Sequence, residues 1–223
     1  MPNPTCLYSS FPGPAIVLSM VVGLLLLGTP TVASAGPNEG TRIELHLVPV
    51  DGPTRDPCRA PIPSDPATYR LTGDLGREYL VYVLLTDFDS ATGITGVQFG
   101  IDFDDSLGVG VDVLRWQRCA TLEFPSDGWP RASTGNLLTW VQTGDCRHEA
   151  PVVVGVFRVR AATPGSFTLV PRPVDGLAAV AGCGSPTGHV NDRIDRLLPD
   201  HLARADFGGG PGYNPHPTPA KDN

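Results

Sequence analysis

Lysine is almost missing. Lys221 is the only one among 16 basic residues, which face 23 acidic ones for a formal net charge of −7. No stretch gathers cationic side chains into the patch or stripe that neutralises phosphates, which sets nucleic acid aside as a partner. The arginines are dispersed and read as a solvated surface with ion pairs. The chain also lacks a charge-free apolar run of the roughly 20 residues that span a bilayer. It lacks any two cysteines close enough for a zinc site, a histidine pair at i, i+4, and a G-x-S-x-G elbow. His46, His148, His189, His201 and His216 stand apart from one another, and His148-Glu149, beside Cys146 and Pro151, reads as an exposed polar pair in a loop. Gly182-Cys183-Gly184-Ser185-Pro186 is no nucleophile elbow, and no glycine pattern for phosphates opens a helix. The sequence therefore names no catalytic residue, no metal ligand and no cofactor, and the chain reads as a non-enzyme.

What is present begins with an address. Ala15 to Leu27 is an apolar run of 13 residues, followed by the helix breakers Gly28 and Pro30 and then by Ala33-Ser34-Ala35. That is the order of an h-region and a small-residue cleavage site, so residues 1–35 are expected to be a signal peptide. Cys6 leaves with it, and Cys58, Cys119, Cys146 and Cys183 remain. An even number of cysteines in an exported chain reads as disulfides, with three pairings possible. The favoured pairing joins Cys119 with Cys146 and, by elimination, Cys58 with Cys183.

The central part is written in strands. Arg42 to Val48 alternates, with Ile43, Leu45 and Leu47 on one face. Six prolines at positions 49, 53, 57, 61, 63 and 66 then exclude a strand or helix and describe a long loop pinned by Cys58. Tyr79 to Thr86 is almost continuously apolar, the pattern of a strand buried on both faces. Val97 to Phe103 alternates again, and Gly108 to Trp116, Leu137 to Gln142, Val152 to Arg160 and Ser166 to Val170 complete the set. Some 7–9 short strands without amphipathic helices between them specify an all-β fold, an antiparallel β-sandwich over residues 36–185. Residues 186–223 are expected to hold a short helix within Val190 to Ala205, interrupted by Pro199, and a mobile Gly/Pro-rich tail from Phe207.

Two features bear on ligands. Asp87 and Asp89, with Asp102, Asp104 and Asp105, are acidic enough to suggest calcium, but Ala91 and Thr92 fall where a calcium loop needs an oxygen ligand and a glycine. Their reading is as turn aspartates bonding the local backbone. Of the three tryptophans, Trp140 reads as core and Trp116 as packing beside Cys119. Trp129, in the loop Pro125-Ser126-Asp127-Gly128-Trp129-Pro130, is the candidate ligand contact, weighed against a ring folded under its own loop.

The stretch from Gly93 to Asp104, GITGVQFGIDFD, resembles the signature strand pair of cohesin-like domains in bacterial extracellular proteins. Family members usually carry a proline after the aspartate, where Asp105-Ser106-Leu107 stands here. The resemblance implies a jelly-roll sandwich that binds protein modules or serves in surface display, and it transfers no binding residue. The reading is therefore a non-catalytic exported binding or structural module, secreted, periplasmic or on the cell surface, with an extracellular protein or glycan as partner. A carbohydrate-binding module is the alternative and a hydrolase without a recognisable motif the third. The mature chain is expected to begin near Gly36, which mass spectrometry of the exported protein checks; retention of residues 1–35 would refute the cleavage.

Overall fold

The computed structural model describes residues 36–52, 56–106, 108–140, 146–183 and 194–216. The expected leader 1–35 lies outside them, as do residues 141–142 of one expected strand and 190–193 of the expected helix. Twelve strands run through the described residues: β1 (Arg42–Pro49), β2 (Thr72–Gly73), β3 (Glu78–Thr86), β4 (Ile94–Asp102), β5 (Val111–Arg118), β6 (Leu122–Pro125), β7 (Thr134–Thr139), β8 (Val152–Ala161), β9 (Gly165–Val170), β10 (Ala179–Gly182), β11 (Ile194–Arg196) and β12 (Arg204–Phe207). Among these residues no helix is long and apolar enough to cross a membrane.

The strands form two sheets. The smaller has the order β1-β3-β8-β5. In the larger, β6-β7 lies along one edge of β4, while β10-β11 and β9-β12-β2 share the other edge. Every strand pair is antiparallel except β12 with β2. The fold is thus the all-β sandwich that the alternating pattern specifies. Ile43, Leu45 and Leu47 of β1 meet Val97, Phe99 and Ile101 of β4 in one core with Phe157, Phe167 and Phe207.

The smaller sheet is apolar on its outer face as well. Leu80, Tyr82, Leu84 and Val156 form a second cluster there, and the proline-rich segment lays Tyr69, Ala60 and Ile62 over it. Two short 3₁₀ turns, Pro57–Arg59 and Pro66–Thr68, shape the cover, each with an aspartate accepting at its N-cap (Asp56 from Cys58 N, Asp65 from Ala67 N). Cys58 fastens this cover to the end of β5 by bonding to Cys119, and Cys146 bonds to Cys183. This corrects the pairing favoured from sequence. Cys146 and Cys183 lie on opposite flanks of the start of β4, where Arg147 bridges Ile94 on one side and Gly182 pairs with Ile94 on the other. Gly93 sits between them at φ 71°, and a side chain there would strike Cys146 Sγ.

The C-terminal expectation also needs correction. Where a helix was expected the chain forms β11, a single 3₁₀ turn at Pro199–His201, and β12. Pro199 denies a helix its hydrogen bond, and Ala203, Ala205 and Phe207 alternate inward as a strand requires. The sandwich therefore extends past residue 185. Nor is the chain loose from Phe207 to His216: Tyr213 bridges Arg204, and the Asn214 amide both accepts from Leu45 N (3.0 Å) and donates to Leu45 O (3.1 Å).

Trp116 ties the two sheets at one side. Its ring crosses Gly155 of β8, while its Nε1 donates to Glu123 of β6 (2.9 Å), which also accepts from Asn136 of β7 (2.8 Å). A methyl group at Gly155 would lie 2.1 Å from the indole. Gly155→Ala is expected to displace Trp116 and destabilise the domain by about 1–3 kcal/mol, read as a lower Tm in a thermal melt. Peptide mapping of the oxidised protein is expected to recover Cys58 with Cys119 and Cys146 with Cys183; any other pairing refutes this connectivity.

Candidate functional site

The two sheets differ in what covers their outer faces. On the larger sheet the antiparallel registers align outward-pointing residues into rows. One row runs Leu122, Thr139, Gly96, Ala181 and Ile194 across β6, β7, β4, β10 and β11. The next runs Phe124, Leu137, Gln98, Ala179 and Arg196. Seven of these ten residues carry no hydrogen-bonding side-chain group, and the Thr139 hydroxyl is turned aside, donating to Thr95 O at 3.0 Å. Phe124 (54% exposed), Ile194 (68%) and Leu122 (42%) stand up at the two sides. Between them a groove of about 190 Å³ runs over Gly96, Ala179 and Ala181.

Small residues make the floor. A side chain at Gly96 would press on Leu138 O at 3.3 Å and Ala181 Cβ at 3.5 Å. Further along β4 the face is closed, because Pro173 and Arg172 lie over Gly100 and Gly135. Arg172 is held there by Asp175 (3.1 Å), and Asp175 also accepts from Gln98 (3.0 Å), which turns that polar side chain toward the loop. The open end is thus apolar, and the charged groups Arg172, Asp175 and Arg196 stand at its border. A cavity of this size is below the 300–1,000 Å³ of a typical small-molecule pocket, whereas an exposed contiguous apolar face suits a macromolecular contact.

Trp129 is placed elsewhere. Its ring packs against Phe99, Trp116 and Phe157, with centroids 6.0, 5.4 and 5.6 Å away, and its Nε1 is buried without a hydrogen-bond partner. Trp140 is core, with Arg147 over its ring at 5.7 Å. Asp89 accepts from Ala91 N and from the Thr92 hydroxyl and amide, and Asp104 from Ser106 N. Those bonds, led by the Thr92 and Ser106 contacts, hold both carboxyls below the usual carboxylate range. Asp102 accepts from the Ser133 hydroxyl and Asp87 from Arg42 Nε. Among the described residues no three His, Cys, Asp or Glu side chains are grouped to hold a metal ion. His148 Nδ1 is 2.7 Å from Ser90 O, in a loop beside the Cys146 disulfide.

Sequence reasoning missed Glu44. It is outward-pointing on β1, yet 0% exposed, and neither carboxylate oxygen has a hydrogen-bond partner. Burial, and then the charge of Asp87, push its carboxyl up to about 7. His216 Nδ1 stands 3.8 Å from Glu44 and 3.9 Å from Asp87. A carboxyl without solvent contact cannot meet a substrate, so this acid–imidazole group offers no reaction centre. The signal available in sequence was a glutamate in an otherwise well-formed alternating strand, which reads as ordinary solvent exposure.

The class these features define is an antiparallel β-sandwich with one sheet face open and apolar. Among solved structures it is similar to the cohesin module of a family 33 glycoside hydrolase from Clostridium perfringens, at 8% identity and a TM-score of 0.43, covering 75% of this chain and 96% of that one. It is also similar to the sixth cohesin of scaffoldin B from Acetivibrio cellulolyticus, solved in complex with a Cel5 dockerin, at 9% identity and a TM-score of 0.44, covering 75% and 97%. The stretch Gly93 to Asp104 resembles the same family, but at these values neither structure lends this chain a residue or a ligand. No protein-family model matches the chain, and no curated protein matches it.

Trp129→Ala is expected to open a void between Phe99, Trp116 and Phe157 and to lower stability by about 3 kcal/mol. A melt unchanged from the parent would place the ring outside the core.

Proposed function

We propose that the chain is a non-catalytic exported module that binds a partner protein on the outer face of its larger sheet. The observation that carries this reading is the pair of apolar cross-strand rows, with exposed Phe124, Leu122 and Ile194 flanking a floor of glycine and alanine. The ridge strands β6 and β11 are four strand spacings apart, about 19 Å, which leaves room between them for one α-helix of about 10–12 Å. The occupant proposed is accordingly an amphipathic helix of a partner protein, its apolar side on Gly96 and its polar side meeting Arg196, Arg172 and Asp175 at the border. Residues 1–35 deliver the module across a membrane and are removed, and the two disulfides suit the oxidising compartment it reaches.

The glycan alternative draws less support. Sugar platforms use exposed flat rings, while Trp116, Trp129 and Trp140 all turn into the protein and, among the described residues, Phe124 alone offers an aromatic ring on the open face.

Selection of a displayed library of amphipathic helices against the purified domain, beside a glycan array, tests the reading. Selected helices are expected to bind at least 30-fold more weakly to Phe124→Asp/Ile194→Asp, an anchor loss of about 2 kcal/mol. Leu114→Asp, an exposed site on the smaller sheet, should bind as the parent does. Helices indifferent to the double variant, or glycan binding in their place, would overturn the proposal.

A further inference from the structure

The segment after β12 ends on β1, and the way it is held is chemically incomplete. Asn214 satisfies Leu45 at both its N–H and its C=O, Arg42 donates to Pro215 O, and His216 is brought beside Glu44 and Asp87. Four buried polar atoms meet in this region without a hydrogen-bond partner: both Glu44 oxygens, Thr86 Oγ1 and His216 Nδ1. A buried carboxylate is tolerated only if it is paired or holds its proton.

We propose that residues 213–216 form a strap whose docking on β1 is controlled by protonation of the buried Glu44 carboxyl, closed when that carboxyl holds its proton and released when it loses it. Six titratable or charged side chains face Glu44 or its strand face. Arg42 and His46 come from β1, Tyr82 from β3, Asp87 from just beyond β3, Tyr69 from the proline-rich cover and His216 from the strap. Only Arg42 is a fixed cation, and Asp87 already occupies it at 2.8 Å. Glu44 therefore shares its one fixed cation with Asp87, and burial and the Asp87 charge outweigh the lowering by Arg42. The Glu44 proton is what makes the closed arrangement neutral.

The sign follows from the docked state holding the proton more tightly than the released one. With Glu44 at about 7 when docked and at its ordinary 4.5 when hydrated, docking is strongest below 4.5, weakens as pH rises from there, and levels off above about 7. Between pH 5 and pH 8 the closing equilibrium is expected to fall roughly 10- to 100-fold.

Hydrogen exchange of the Leu45 amide, whose acceptor is Asn214, reads the closing equilibrium in the chain as recovered after export. After correction for the intrinsic exchange rate, its protection is expected to drop 10- to 100-fold from pH 5 to pH 8. The Leu47 amide, bonded to Arg70 O, should keep its protection, which separates strap release from loosening of the strand. Glu44→Gln is expected to hold Leu45 protection at its pH 5 level throughout. A chain ending at Gly212 should leave Leu45 unprotected at both values. Constant protection in the parent, the same pH dependence in Glu44→Gln, or a parallel loss at Leu47 would each overturn the strap.

Discussion

A sheet that is apolar on both faces has to be covered twice, and β3 imposes that condition here. Eight of its nine residues are buried, all but Glu78. Tyr79, Val81, Val83 and Leu85 face the sandwich core, while Leu80, Tyr82 and Leu84 face the other way. The second cover cannot be another sheet, because the larger sheet is already spent on the first face. It is instead the proline-rich segment, whose rings and 3₁₀ turns restrict the chain before folding and so lower the entropy lost in laying it down. The Cys58–Cys119 bond fastens it, and closing a loop of that span is worth about 4 kcal/mol in the chain-entropy account. Among the described residues the larger sheet has no comparable cover over Gly96. Among the described residues one sheet is wrapped and the other bare, and the proposed binding face rests on that asymmetry.

The free edge of β1 poses a second problem, since unpaired strand edges invite association. Three different segments deal with it in turn. Ala203 N donates to Ile43 O, Asn214 closes both groups of Leu45, and Arg70 O accepts from Leu47 N. None of these is a paired strand, so the edge is closed by single contacts that can be undone one at a time. The strap proposal uses the middle one.

Much of the architecture was legible in the order of residues, and the failures have specific causes. Alternation in Arg42–Val48 and Val97–Phe103 and the apolar run Tyr79–Thr86 gave β1, β4 and β3 because each lies in a regular, well-buried ladder. The strands β2, β6, β10, β11 and β12 run two to four residues, too short for a period to register. In Val190 to Ala205, leucine, alanine and arginine favour a helix intrinsically, and burial of Ala205 and Phe207 against β9 overrides that preference. The cysteine pairing depended on which strands flank β4, a fact of topology that spacing does not hold. The open face was invisible for a related reason: Leu122, Gly96 and Ile194 come from three distant stretches, and only the registers bring them into one row. Trp129 drew attention as a residue type, while its surroundings, Phe99 and Phe157, were themselves far away in sequence.

The two disulfides follow one another along the chain, 58 with 119 and then 146 with 183, and neither loop encloses a cysteine of the other. A polypeptide threaded through a membrane N-terminus first presents Cys58 and Cys119 before Cys146 has emerged. Joining each cysteine to the next one to appear therefore produces the native connectivity, and no early bond has to be undone to reach it. Under the proposed export, the order of translocation and the covalent order of the finished molecule would coincide, so that the exit of the chain could itself serve as the proofreader of its oxidation.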